Sequence, residues 1–81
     1  MIALQNLLPM TDCISIGAII RQERKKQRLT QSQLAGLAGV GVRFLREVEH
    51  GKPSCQLGLT LQVMQTLGLS MHISSRDGQM S

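Results

Sequence analysis

The side chains that ordinarily carry reaction chemistry are few and scattered. His50 and His72 lie far apart and in no nucleophile or metal-ligand pattern. Cys13 and Cys55 make neither a disulfide framework nor a metal-ligand spacing, so reduced thiols are the simplest expectation. Gly36, Gly39 and Gly41 do not open a helix through the Gly-Lys-Ser or Gly-Lys-Thr of a phosphate loop. The five carboxylates form no acid/base pair. No enzymatic function, cofactor or metal is therefore expected.

The remaining chemistry is positive charge. The segment 21–52 holds Arg21, Arg24, Lys25, Lys26, Arg28, Arg43, Arg46 and Lys52 against Glu23, Glu47 and Glu49. That is eight cations against three anions, +5 in a chain whose formal net charge is +4. A basic segment of this kind suits a polyanion, or simply a solvated face; charge alone leaves both open. With no Trp, no Tyr and a single Phe, Phe44, a stacking platform for single strands or RNA is disfavoured.

The elements that carry these charges are helical. At 81 residues the chain makes one domain with an aliphatic core and a thin margin of stability. Ser15 caps a first helix running to about Arg28, with Ile16, Ile19 and Ile20 on its apolar side and Arg24, Lys25, Lys26 and Arg28 where the helix dipole favours cations. Thr30 and Gln33 form a capping box that opens a second helix, with Leu34, Ala35, Leu37 and Ala38 facing inward and Gly39 ending it. A third helix, Val42 to His50, turns Leu45 and Val48 inward and keeps Phe44 at its flank. Gly51 ends it and Pro53 prevents its return. A fourth runs from about Leu57 to Leu67, with Leu57, Leu61, Val63, Met64 and Leu67 apolar and Gly68 as its stop. Residues 69–74 then alternate apolar and polar, the pattern of a half-buried strand. An isolated strand needs a partner, and a second copy of the chain would supply one.

The expected architecture is thus an all-α compact bundle plus a short C-terminal strand paired across a dimer. Residues 1–14 form an N-terminal extension, 15–68 the helical domain, 69–75 the dimerisation strand (Leu69, Met71, Ile73) and 76–81 a flexible tail. The run MIALQNLLPM is too short to span a membrane and lacks the basic flank of a signal peptide.

Two short helices joined by a tight glycine-bearing turn are the helix-turn-helix unit. Its geometry asks for a small residue at Ala35, a permissive one at Gly39, and apolar anchors at Leu45 and Val48. Residues 16–67 resemble the Xre/Cro-type helix-turn-helix family through IGAIIRQERKKQRLTQSQLAGLAGV, FLREVEHGKPS and LQVMQTLGLSM. The last phrase and the strand after it most resemble the HipB-like branch, antitoxins encoded beside a HipA-type kinase toxin.

The resemblance implies a compact phage-repressor-like fold, a homodimer on a palindromic double-stranded DNA operator, and a bacterial cytoplasmic, nucleoid-associated setting. It puts Val42, Arg43, Arg46 and Glu47 on the outer side of the recognition helix as base contacts. Arg43 would address guanine, Val42 a thymine methyl, and Glu47 a cytosine or Arg43 itself. Thr30, Gln31, His50 and Lys52 would contact the DNA backbone. Arg24 and Glu49 would form an internal ion pair, leaving Lys25 and Lys26 a solvated face. Gly41 and Val42 depart from the polar residues usual there, so fewer bases would be read per half-site. Two further functions stay open: a stand-alone phage-type repressor without a toxin, and a protein-binding antitoxin or adaptor whose DNA binding is secondary. For the latter, the apolar N-terminal arm or the polar tail is the candidate partner surface.

Overall fold

The computed structural model describes residues 12–53 and 56–72. They form four helices: α1 (Cys13–Lys26), α2 (Gln31–Ala38), α3 (Val42–Glu49) and α4 (Leu57–Thr66). The fold is all-α. α3 packs on α1 and α2, and α2 also packs on α4. Isolated helices of 8 to 14 residues are marginal in water, so it is this mutual packing that holds them.

Ile20, Leu34, Ala35, Ala38, Leu45, Val48, Val63, Met64 and Leu67 are the buried core. Ile20, Leu34, Leu45 and Val63 are completely enclosed, and each large aliphatic side chain so placed contributes roughly 1.5–3 kcal/mol. Two apolar residues expected inward are not there. Leu37 is 66% exposed and Leu57 58% exposed. Leu37 is three residues beyond Leu34, but α2 spends its inner face on Leu34, Ala35 and Ala38, which leaves Leu37 on the outside. In α4 the inward face is Val63 and Met64, about two turns past Leu57.

The start of α1 also differs from expectation. Asp12, not Ser15, is the N-cap: its Oδ1 accepts the Ser15 backbone N–H at 2.7 Å. The helix ends at Lys26 with Gln27 as C-cap, before Arg28. Arg28 adopts φ 61°, the left-handed region, and is the one non-glycine to do so among the described residues. Its N–H donates to the Lys25 carbonyl at 2.9 Å and that of Leu29 to the Arg24 carbonyl at 3.1 Å. This is the Schellman closure, with arginine where glycine is usual. α2 closes the same way at Gly39 (φ 74°), which is the turn of the helix-turn-helix.

α1 and α3 approach so closely that a Cβ at Gly17 would collide with the backbone carbonyl of Val48. A Cβ at Gly51 would lie 2.7 Å from the Cα of Ile14, and its φ of 79° already favours glycine. Nearby, Gln27 ties α1 to the end of α4 by donating from Nε2 to the Leu67 carbonyl at 2.8 Å.

Beyond α4, Leu69 and Met71 are half-buried against the core while Ser70 and His72 are exposed. The expected alternation is present at these four residues, without strand pairing among the described residues. Ile73 and the rest of the expected strand, the tail, Cys55 and residues 1–11 lie outside the described residues.

Candidate nucleic-acid interface

The capping box fixes where α2 begins. Thr30 Oγ1 accepts from the Gln33 N–H at 3.0 Å, and Gln33 Oε1 accepts from the Thr30 N–H at 2.8 Å. The first-turn amides of Gln31 and Ser32 precede the intrahelical ladder, so the N-terminus of α2 presents donors that suit an anion.

Behind this terminus sits a buried ion pair. Arg24 donates from Nε to Glu49 Oε2 at 2.7 Å and from Nη2 to Glu49 Oε1 at 3.0 Å. Its Nη1 donates to the Leu29 carbonyl at 2.8 Å. The two side chains are only 10% and 2% exposed. Gln31 Nε2 adds a third donor to Glu49 Oε1 at 3.1 Å. The cluster joins α1, the start of α2 and the last residue of α3. Among the described residues no buried side-chain N or O is left without a hydrogen bond.

α3 divides sharply by face. Leu45, Val48 and Glu49 are buried, whereas Arg43 and Arg46 are exposed, Arg43 with 89% of its side chain in solvent. Val42 is half-buried against the core, which leaves only part of it to touch a ligand. Glu47 stands between two cations, 3.9 Å from Arg43 Nε and 3.3 Å from Lys52 Nζ. Both pairs are solvent-exposed and weak, so they orient the side chains rather than hold the fold. His50, the C-cap of α3, donates from Nδ1 to the Arg46 carbonyl at 2.8 Å. Gly41 caps α3 without any side-chain bond.

The structure thus brings Gln31, Glu49 and His50 around one polar hollow, which Arg21, Arg24 and Lys25 also line. Arg43, Arg46 and Glu47 follow on the outer face of α3, with Lys52 joined to Glu47 just past its end. Sequence reasoning missed the Gln31–Glu49 bond and the place of Arg21 and Lys25 at the hollow. A polar residue one past an N-cap does not announce a partner 18 residues away. The spacing of Arg21, Arg24 and Lys25 on one face of α1 was legible.

A helix-turn-helix whose second helix buries one face and offers arginines on the other defines a DNA-reading module. The sequence profile of the helix-turn-helix family matches residues 20–72, and the chain belongs to this Xre/Cro-type family. It is also 57% identical, over 58 residues, to the uncharacterized HTH-type transcriptional regulator y4mF of Sinorhizobium fredii (strain NBRC 101917 / NGR234). That match covers 72% of this chain and 76% of the relative. The protein is a DNA-binding transcription regulator. Among the described residues no helix is long and apolar enough to cross a membrane.

Proposed function

We propose that the protein is a sequence-specific repressor that binds a palindromic double-stranded operator as a homodimer in the bacterial cytoplasm. In this reading it is a HipB-like antitoxin that represses its own operon and binds a HipA-type kinase toxin. The observation that carries the DNA reading is the division of α3: Arg43 and Arg46 project from a helix whose opposite face is pinned by Leu45, Val48 and the Arg24–Glu49 pair. A recognition helix needs that combination of mobile donors on a fixed rod.

The roles proposed for individual residues rest on the family resemblance. Arg43 and Arg46 read bases, with Val42 giving a small apolar contact and Glu47 aiming Arg43. The first turn of α2, at Thr30 and Gln31, takes a backbone phosphate, and His50 and Lys52 take the next ones. Leu69, Met71 and Ile73 belong to the dimer contact. The apolar and polar alternation of residues 69–74, which suits a strand needing a partner, supports this. The antitoxin assignment rests on the likeness of LQVMQTLGLSM to the HipB-like branch.

The test is a fluorescence-anisotropy titration of the DNA upstream of the coding sequence against a shuffled duplex. Specific binding is typically 10³-fold or more tighter than non-specific binding at equal salt. A preference of that order is expected. Equal affinity for both duplexes overturns the repressor reading. Co-purification with the product of an adjacent kinase-like gene tests the antitoxin role, and a strictly solitary protein defeats it.

A further inference from the structure

The polar hollow extends beyond the helix-turn-helix unit. Gln31 and His50 lie on one side of it, and the other wall is α1, through Arg21 and Lys25. These two residues are one helical turn apart and therefore share a face. Both are exposed, and neither takes part in an ion pair among the described residues. The floor of the hollow is the Arg24–Glu49 pair. Glu49 is already neutralised by the Arg24 fork and the Gln31 amide, so its carboxylate does not cancel the two cations above it. Lys26, next along α1, does not line the hollow.

We infer that Arg21 and Lys25 clamp a backbone phosphodiester of duplex DNA, so that α1 is part of the DNA contact. The inference rests on the proposed DNA reading and adds a contact to it. The chemistry suits a phosphodiester. Arginine supplies a planar fork of donors and lysine a compact charge, and the polar rim supplied by Gln31 and His50 continues toward the first turn of α2. A ligand of this kind carries no sequence information, so the clamp positions the protein on any duplex.

The experiment measures the salt dependence of binding by the full chain, using the upstream duplex and the shuffled duplex as probes. Three proteins are compared: wild type, Arg21→Gln/Lys25→Gln, and Lys26→Gln/Arg28→Gln, which loses the same charge elsewhere on the same segment. Each phosphate contact contributes roughly 0.9 to the slope of log K against log salt. The clamp variant is expected to lose about 0.9 in slope per bound subunit on both duplexes. Its preference between the two duplexes and its unfolding midpoint should not change. The control should keep a slope near that of wild type. Equal losses in the two variants, or an unchanged slope in the clamp variant, overturn the clamp while leaving the DNA reading intact. A loss confined to the upstream duplex also overturns it, because that is the behaviour of a base contact. Failure of the wild type to bind either duplex overturns the DNA reading, and the clamp with it.

Discussion

Gln31 and Glu49 share a hydrogen bond of 3.1 Å, on the same carboxylate oxygen that receives Nη2 of Arg24. A residue at the opening of α2 is thereby tied to the last residue of α3, and both to α1. The orientation of α3 against the opening of α2 depends on this one carboxylate. Arg24→Ala would leave Glu49 charged, buried and short of its main partner, which typically costs about 3–5 kcal/mol. For a domain of this size most of the stability would be gone. Urea unfolding should show a large fall in midpoint for Arg24→Ala and a much smaller one for Arg24→Met/Glu49→Leu. Similar losses in both would mean that packing, not the stranded charge, sets the cost.

Arg43 and Gln31 should fail in different ways. Arg43→Ala should relax the preference at one base position of each half-site, by about 1–3 kcal/mol. Gln31→Ala should weaken specific and random duplexes alike. Binding to a set of single-base operator variants separates the two. If both substitutions reduce all affinities by one common factor, Arg43 is not a base contact.

The glycines of the helices are not equivalent. At Gly17 an added methyl meets the Val48 carbonyl, whereas at Gly36 nothing lies within 4 Å. Gly17→Ala should therefore destabilise by roughly 1–3 kcal/mol through overpacking. Gly36→Ala should stabilise by roughly 0.5–1 kcal/mol, since it removes the entropic handicap of a helical glycine. Thermal unfolding of the two variants should move in opposite directions; a parallel shift would contradict the close α1–α3 approach.

Arg28 holds a left-handed conformation at φ 61°. Arg28→Gly should remove that strain and stabilise the domain by up to about 1 kcal/mol, the gain being reduced by the greater freedom of glycine in the unfolded chain. Chemical denaturation gives the sign directly, and destabilisation would show that the arginine side chain contributes more than its backbone costs.

Asp12 has its carboxyl held below the usual 3.8, first by the Ser15 backbone N–H, with further help from the Ser15 hydroxyl and the Ile14 N–H. A lowered folded value means the cap stabilises fully above the unfolded pKa and is lost as pH falls through the folded one. The first turn of α1 should therefore loosen only below about pH 3.8, and an NMR titration of the Asp12 carboxyl should find its midpoint under that value. Asp12→Asn should abolish this step. A midpoint at or above 3.8 would remove the cap from the account.

The parts of this fold legible in the sequence are those set by neighbours in the chain. The Thr30–Gln33 capping box, the Gly39 turn and the Gly51 stop depend on local backbone chemistry, and each stands where its residues place it. The inward roles of Leu45 and Val48 follow from helical spacing in the same way. The rest is set by what lies across the core. Asp12 and Ser15 are both competent caps, and the choice between them falls to Asp12 as the chain enters α1. Leu37 satisfies the helical period as well as Ala38 does, yet it is Ala38 that is buried and Leu37 that faces out. Gly17 carries no local signal, since its role exists only because α3 passes within a methyl's width. The outer arginines of α3 were legible by type and spacing, whereas the hold that Glu49 exerts on Gln31 joins two elements and leaves no pattern in either of them.

The split between the two faces of α3 has an evolutionary consequence. Arg43 and Arg46 project into solvent and support none of the buried packing, while Leu45, Val48 and Glu49 on the same eight-residue helix hold the domain together. On the proposed reading, in which these two arginines address bases, substitutions at the outer positions rewrite which operator is recognised at almost no cost in folding. Descendants of one ancestral gene can part company in the DNA they address while sharing the same scaffold, and neighbouring copies in a single genome can avoid regulating one another's promoters by changing two or three exposed side chains.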